Sequence, residues 1–194
     1  LTDLELLWLE YNSLTGTLPA WLGKLSKLTS LGLTANSFTG RLPTELGQLT
    51  ELVELTINSN QLNGTIPIEL SLLSRLELLL LDENSVTGTL PTELGLLAQL
   101  SELDVSGNNL NGTVPTELGQ LTNLVRLYIQ ENSFTGTLPT ELGKLINVQE
   151  IYAHENELSG SIPMVMSVLS FLTSFSFSGN DFTGSVNNIF CADG

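Results

Sequence analysis

The feature that most constrains the fold is a strict internal period of 24 residues. Eight copies follow one another without insertion or deletion, and they begin at residues 1, 25, 49, 73, 97, 121, 145 and 169. In every copy positions 1, 4, 7, 9, 14, 18 and 22 are apolar, position 12 is Asn and position 16 is Gly. A period of this length predicts a solenoid in which each copy forms one coil, so that residues 1–194 make a single domain.

Each copy is predicted to contain a short strand and a turn. Positions 4, 7 and 9 carry the pattern L-x-x-L-x-L, in which positions 7 and 9 share one face and positions 6, 8 and 10 point the other way. One strand cannot bury its apolar face alone, so equivalent strands are expected to pair in a parallel sheet, roughly 4.8 Å apart. The Asn at position 12 is expected to bond backbone donors and acceptors in a ladder. Pro at position 19, followed by segments such as T-E-L-G, predicts a 3₁₀ turn.

The segments LTGTLP, LNGTIP, LNGTVP and LSGSIP complete the pattern LxxLxxLxLxxNxLxGxIPxxLGxL, which resembles the plant-type leucine-rich repeat. The resemblance covers essentially the whole chain. It implies the α/β class and a right-handed solenoid, with a parallel β-sheet on the concave face, short 3₁₀ or irregular turns on the convex face and little true α-helix. The family includes ectodomains of receptor-like kinases and receptor-like proteins and secreted polygalacturonase inhibitors. The resemblance therefore implies an extracellular or cell-surface protein whose precursor has a signal peptide.

The charge of the chain narrows the class of partner. Twenty-one acidic residues against six Lys and Arg give a formal net charge of −15. This charge argues against nucleic acid and anionic membrane surfaces, because both require basic patches, and it favours a basic partner. No apolar run approaches the ~18 residues that a membrane span needs. Since the chain starts inside a repeat at Leu1, we expect a mature or trimmed fragment without its N-terminal cap, and the oligomeric state is left open.

Cys191 and two asparagines are candidate sites of covalent modification. The single cysteine lies in FCADG at the end of the last copy. Members of the family usually have caps with paired cysteines, so the resemblance implies a C-terminal cap that starts at about residues 190–194, with a disulfide partner beyond Gly194. The alternative is a buried free thiol at the end of the core. Asn63 and Asn111 each begin an N-x-T sequon and are predicted glycosylation sites of a secreted protein.

The outward positions 6, 8 and 10 of the strands form the candidate ligand surface. Copies four to seven hold its most distinctive side chains, and we predict that a protein, peptide or glycan ligand contacts them. Arg126 falls between Glu102 and Glu150 of adjacent copies, and the alternative for this column is an ion-pair ladder of modest value. The predicted ligand-binding residues are Leu78, Leu80, Asp82, Asp104, Arg126, Tyr128, Gln130, Tyr152 and His154.

The sequence indicates neither an enzyme nor a cofactor. A solvated sheet face is poor at shifting the pKa of a carboxylate, and Cys191 has no histidine near it in its copy to act as a base. A calcium site needs several oxygens at close range. Asp82, Glu102 and Asp104 could approach one ion, but no Asp-rich loop has metal-binding spacing. We therefore predict no metal site.

The competing hypothesis is a structural role, and it rests on positions 15 and 17, which flank the Gly of each copy. They are Thr, Ser or Asn throughout except for Arg41. Alternation points both positions to one lateral face, and such T-x-T columns resemble the flat faces of ice-binding solenoids. Ser or Thr at this place is ordinary in plant-type repeats, and glycans on Asn63 and Asn111 would spoil a flat face. Ice binding is therefore the alternative to concave recognition.

Overall fold

The structure is a computed structural model that describes residues 1–185. Cys191 and the predicted start of the C-terminal cap lie outside the described residues. Each coil contributes one strand to each of two sheets, and a 3₁₀ turn follows in the first seven coils. Within residues 1–185 there is no α-helix and no helix long and apolar enough to cross a membrane.

One parallel sheet, here called the concave sheet, contains eight strands in chain order. Each residue pairs with the residue 24 positions later, as Leu31 does with Leu55. Both of these leucines are fully buried, and burying a leucine side chain stabilises the fold by roughly 1.5–3 kcal/mol. The predicted sheet is thereby confirmed. Its strands are Leu6–Trp8, Ser30–Gly32, Glu54–Thr56, Leu78–Leu80, Glu102–Asp104, Arg126–Tyr128, Glu150–Tyr152 and Ser174–Ser176.

A second parallel sheet, here called the lateral sheet, also has eight strands. It forms because positions 14 and 18 both enter the core, as Val86 and Leu90 do, while positions 15 and 17 between them point outward. The sequence indicated the outward positions but not a second sheet. Its strands are Thr15–Thr17, Ser37–Arg41, Gln61–Gly64, Ser85–Thr89, Asn109–Thr113, Ser133–Gly136, Glu157–Gly160 and Asp181–Phe182.

The asparagine at position 12 links adjacent coils, as predicted. Asn108 donates from Nδ2 to the carbonyl of Leu81 in the preceding coil at 3.0 Å, and to the carbonyls of Val105 and Ser106 in its own coil at 3.2 and 3.1 Å. Its Oδ1 accepts the backbone N–H of Val86 at 2.9 Å. One side chain therefore satisfies four backbone groups where the chain leaves the concave sheet.

The predicted 3₁₀ turns are also confirmed, and each begins after the proline at position 19. The turns are Ala20–Lys24, Thr44–Gln48, Ile68–Leu72, Thr92–Leu96, Thr116–Gln120, Thr140–Lys144 and Met164–Val168. The glycine at position 16 is required both by its backbone conformation and by the close approach of the preceding coil. Gly88 has a φ of +81°, and a Cβ there would lie 2.9 Å from Cγ2 of Thr65 in the preceding coil. The close stacking of coils therefore depends on glycine at this position.

Candidate functional site

The concave sheet brings the predicted ligand-binding residues onto one face. Its register places Leu80 beside Asp104, Asp104 beside Tyr128 and Tyr128 beside Tyr152, all at position 8 of successive coils. Leu78 and Leu80 are half-buried on this face. Asp82, Gln130 and His154 occupy position 10, just after their strands end. The strict period thus assembles side chains from four coils into one continuous surface.

Two aspartates on this surface have perturbed pKa values. Burial, and then the negative charge of Asp104, raises the pKa of Asp82 to about 7, although Asn58 donates a hydrogen bond to the carboxylate. Burial is also the main cause that raises the pKa of Asp104. The backbone N–H and the hydroxyl of Ser106 donate to Oδ1 of Asp104, at 2.9 and 2.6 Å, and oppose this rise. The two carboxylates therefore carry their charge at an electrostatic cost.

Arg126 forms a salt bridge with only one of its two neighbouring carboxylates. Its Nη1 donates to Oε2 of Glu102 at 2.8 Å in a salt bridge. Glu150, on the other side, instead accepts the hydroxyl of Tyr128 at 2.5 Å. Burial, and then this bond, raises the pKa of Tyr128. The continuous ion-pair ladder considered for this column is therefore absent here, and Tyr128 remains a protonated donor at neutral pH.

The two tyrosines form an aromatic platform on the sheet. The rings of Tyr128 and Tyr152 stack with centroids 5.1 Å apart and an interplanar angle of 22°. The hydroxyl of Tyr152 is hydrogen-bonded to Oγ of Ser174 at 2.9 Å, and the ring of His154 lies 6.2 Å from that of Tyr152. Each tyrosine hydroxyl is thus fixed by the next coil, which holds both rings in place for a contact.

Two polar atoms beside this platform have no hydrogen-bond partner in the structure. They are Oε1 of Gln130 and Nδ1 of His154, and both atoms are buried. Buried polar groups without a partner are destabilising, and in a native protein each calls for an explanation such as a ligand or water. They lie in adjacent coils at position 10, next to the stacked tyrosines.

Two hydrogen-bonded chains of side chains in the first coils were not predicted from the sequence. Trp8 donates from Nε1 to Oγ of Ser30 at 2.9 Å, and Ser30 donates to Oε2 of Glu54 at 2.9 Å. At position 10, Thr34 donates to Oδ1 of Asn58 at 2.6 Å, and Asn58 in turn bonds Asp82. Polar residues at positions 6, 8 and 10 of successive coils were the available signal, but the choice of partner depends on rotamers.

The lateral sheet presents the threonine columns and the two sequons. Asn63 and Asn111 are exposed at position 15, and Arg41 lies over Gly64, where a Cβ would come 2.7 Å from Cγ of Arg41. An open groove of about 600 Å³ runs between this sheet and the 3₁₀ turns, and Pro91 and Pro115 line it. Within residues 1–185, no group of three or more His, Cys, Asp or Glu residues could hold a metal ion.

Comparison with known proteins identifies a family model and several solved structures. The model named Leucine Rich Repeat matches residues 3–25, 27–49, 99–121 and 123–145. No match is found among curated protein sequences.

Two plant receptors are among the similar structures. The plant peptide hormone receptor RGFR1, solved in complex with RGF2, is 34% identical over 95% of this chain and 30% of its own, with a TM-score of 0.94. The Arabidopsis receptor kinase HAESA, solved with the peptide hormone IDA and the co-receptor SERK1, is 32% identical over 91% of this chain and 30% of its own, with a TM-score of 0.82. The chain thus spans about 30% of the length of either receptor chain.

A third similar structure is a plant ice-binding protein. It is 26% identical over 94% of this chain and 59% of its own, with a TM-score of 0.87. Similar solenoids therefore occur in proteins of two different functional classes, and the choice between those classes depends on the surface residues of this chain.

Proposed function

Because the chain belongs to the leucine-rich-repeat family, with repeats of the plant type, we propose that it is a non-enzymatic recognition module. Its ligand is a protein or peptide that lies across the concave sheet of coils four to seven. We place the module outside the cell or at its surface, as in the receptor ectodomains that it resembles. A secreted protein of this kind would carry glycans on Asn63 and Asn111.

The observation that carries this proposal is the aromatic platform of Tyr128 and Tyr152. The rings stack at 5.1 Å on an open sheet face, and both hydroxyls are already bonded to neighbouring coils. Rigid aromatic side chains contribute contact area at low cost in conformational entropy, which is why they are enriched at recognition sites. The unpartnered Gln130 Oε1 and His154 Nδ1 lie beside this platform.

The relatives and the shape of the concave sheet both support a peptide as the ligand. The two receptors described above were solved with peptide hormones, and an extended peptide suits the open face of a sheet. The net charge of −15 favours a ligand with basic groups. A glycan that stacks on the tyrosines is the remaining alternative, and ligand identification would separate the two.

The test is capture of a ligand from extracellular extract by immobilised protein. We expect the Tyr128→Ala/Tyr152→Ala/His154→Ala variant to lose a partner that the wild type retains, because the platform is removed. The matched control is Thr89→Ala/Thr113→Ala/Thr137→Ala on the lateral sheet, which should capture the partner as the wild type does. Circular dichroism checks that both variants are folded. If the concave variant keeps the same partner as the wild type, this site is wrong.

Ice binding through the lateral sheet is the second candidate function, and ordered side chains favour it. The hydroxyl of Thr87 donates to the carbonyl of Gly64 at 3.2 Å, and that of Thr135 to the carbonyl of Gly112 at 3.3 Å. At position 17, the methyl group of Thr65 packs against Gly88 in the next coil. Threonines at both positions are therefore held in repeating orientations, as a regular water-ordering surface requires, and one similar structure is an ice-binding protein.

Ice recrystallisation distinguishes this candidate from concave recognition. If the lateral sheet binds ice, the wild type should inhibit recrystallisation and Thr89→Ala/Thr113→Ala/Thr137→Ala should lose most of that activity, while the concave triple variant keeps it. Because glycans on Asn63 and Asn111 would cover this sheet, the assay is run on glycan-free protein as well. Absence of inhibition by the glycan-free wild type would eliminate the candidate.

A further inference from the structure

We propose that the ligand of the concave sheet is an extended peptide with a basic side chain that docks against Asp82 and Asp104, and an aromatic or apolar side chain two residues away that packs on Tyr128 and Tyr152. This inference rests on the proposed function and adds the chemistry and spacing of the ligand. The occupant of this open sheet face is inferred from three observations: the charge of the face, the free carboxylate oxygen of Asp104 and the strand spacing.

The first observation is the charge of the concave sheet. Positions 6, 8 and 10 carry one arginine, Arg126, whose guanidinium is already paired with Glu102. A basic ligand therefore complements this face, whereas a ligand carboxylate would meet repulsion. The carboxylates at these positions are Glu10, Glu54, Asp82, Glu102, Asp104 and Glu150.

The second observation is that Asp82 and Asp104 are held in place without a cationic partner. Both hydrogen bonds from Ser106 fall on Oδ1 of Asp104, which leaves Oδ2 available to a ligand. The side chain of Asn58 in the preceding coil lies close enough to Asp82 to lower the pKa of its carboxyl. Within residues 1–185, the two salt bridges use other residues, namely Arg75 with Glu51 and Arg126 with Glu102. A lysine or arginine of the ligand would relieve the repulsion between the two aspartates.

The third observation is the spacing between the aspartates and the tyrosines. Asp104, Tyr128 and Tyr152 are neighbours at position 8, and adjacent strands lie about 4.8 Å apart. The distance from Asp104 to the tyrosine pair is therefore one to two strand spacings, about 5 to 10 Å. An extended peptide advances about 6.6 Å in two residues, and residues two apart point to the same face. A basic residue and an aromatic residue at positions i and i+2 thus both point to the sheet.

The experiment uses defined peptides as probes. A serine-rich, fluorescein-labelled hexapeptide contains Arg and Trp two residues apart, in either order, and its affinity is measured by fluorescence anisotropy at pH 8. We expect Asp82→Asn/Asp104→Asn to weaken the better probe at least tenfold, because the charge is lost while the shape is retained. The matched control is Glu93→Gln/Glu117→Gln on the 3₁₀ turns, which changes the net charge equally and should leave the affinity unchanged.

The spacing and the charge of the probe are tested separately. A hexapeptide with Arg and Trp adjacent to each other, and one with Glu in place of Arg, should both bind at least tenfold more weakly than the better probe. Equal binding of these peptides, equal effects of the two charge variants, or failure of the wild type to bind either order of the probe would each contradict the inference.

Measuring the affinity for the probe at several pH values adds a further test. A purely structural role of Asp82 would not produce the pH dependence expected here. The charged groups around Asp82 are Asp104 and Glu83, and Glu102 with its partner Arg126 lies beyond Asp104. Since the pKa of Asp82 is about 7, the wild type should bind the probe several-fold more weakly at pH 6 than at pH 8. In Asp82→Asn this loss should be much smaller, and a loss as large as that of the wild type would overturn the assignment of the cation to Asp82.

Capture of a ligand from extract by the two concave variants shows whether this inference or the proposed function is wrong. If Asp82→Asn/Asp104→Asn captures that partner as the wild type does, while the tyrosine and histidine variant loses it, the peptide chemistry inferred here is wrong and concave recognition stands. If neither variant affects capture, concave recognition itself is wrong.

Discussion

A single asparagine side chain in each of coils two to eight holds three backbone segments together, and Asn108 is one of the two that are buried. Its amide bonds the carbonyls of Leu81, Val105 and Ser106 and the N–H of Val86. Neither water nor another side chain can replace these bonds easily at a site so enclosed. The invariance of Asn at position 12 therefore reflects the geometry of the turn and gives no information about the ligand.

Replacing Asn108 by alanine should destabilise the fold strongly. The change leaves buried backbone groups without partners, and we expect the free energy of unfolding to fall by about 2–4 kcal/mol. The matched control is Asn109→Ala, because Asn109 is exposed at the next position and should change the stability by less than about 0.5 kcal/mol. Urea denaturation followed by circular dichroism measures both. Similar losses in the two variants would contradict the role given to position 12.

At the scale of elements, the sequence predicted the concave strands and the 3₁₀ turns. The concave strands follow from the pattern L-x-x-L-x-L, and the 3₁₀ turns follow from the proline at position 19 and the short segment after it. The lateral sheet was not predicted, because a strand such as Ser85–Thr89 has only Val86 inside and contains Gly88, which is unfavourable in an isolated strand. It forms because stacking brings equivalent backbones into register, and this is a property of neighbouring coils.

The candidate site was predictable only as a set of outward positions. The period alone places Arg126 between two carboxylates, but it cannot show that Tyr128 takes Glu150 and leaves Arg126 to Glu102. That choice depends on side-chain rotamers across strands. The raised pKa of Asp82 was likewise beyond the sequence, because burial of a position-10 side chain depends on the length of its neighbours. The face was expected to be too solvated to shift the pKa of a carboxylate, and for Asp82 this expectation was wrong.

At the scale of the whole molecule, the backbone of each element has its close neighbours in the adjacent coils. Among the described residues, the strands and turns whose backbones approach one another are equivalent elements of neighbouring coils. The stability of such a solenoid is approximately a sum of coil and interface terms, so an internal coil can be removed without rearranging the others. This property allows the proposed site to be located along the solenoid by deleting whole coils of 24 residues.

Deletion of residues 25–48 and deletion of residues 121–144 form a matched pair, because each removes one internal coil in register. Both proteins should stay folded, with cooperative thermal unfolding at a somewhat lower temperature, since each loses one coil and one interface. The first deletion keeps Asn58, Asp82, Asp104 and the tyrosine platform, so it should capture the same extracellular partner as the wild type. The second removes Arg126, Tyr128 and Gln130 and brings Asp104 beside Tyr152, so capture should be lost. Retention of the partner after the second deletion would place recognition outside coil six, and equal loss in both would indicate that the ligand spans the whole concave sheet.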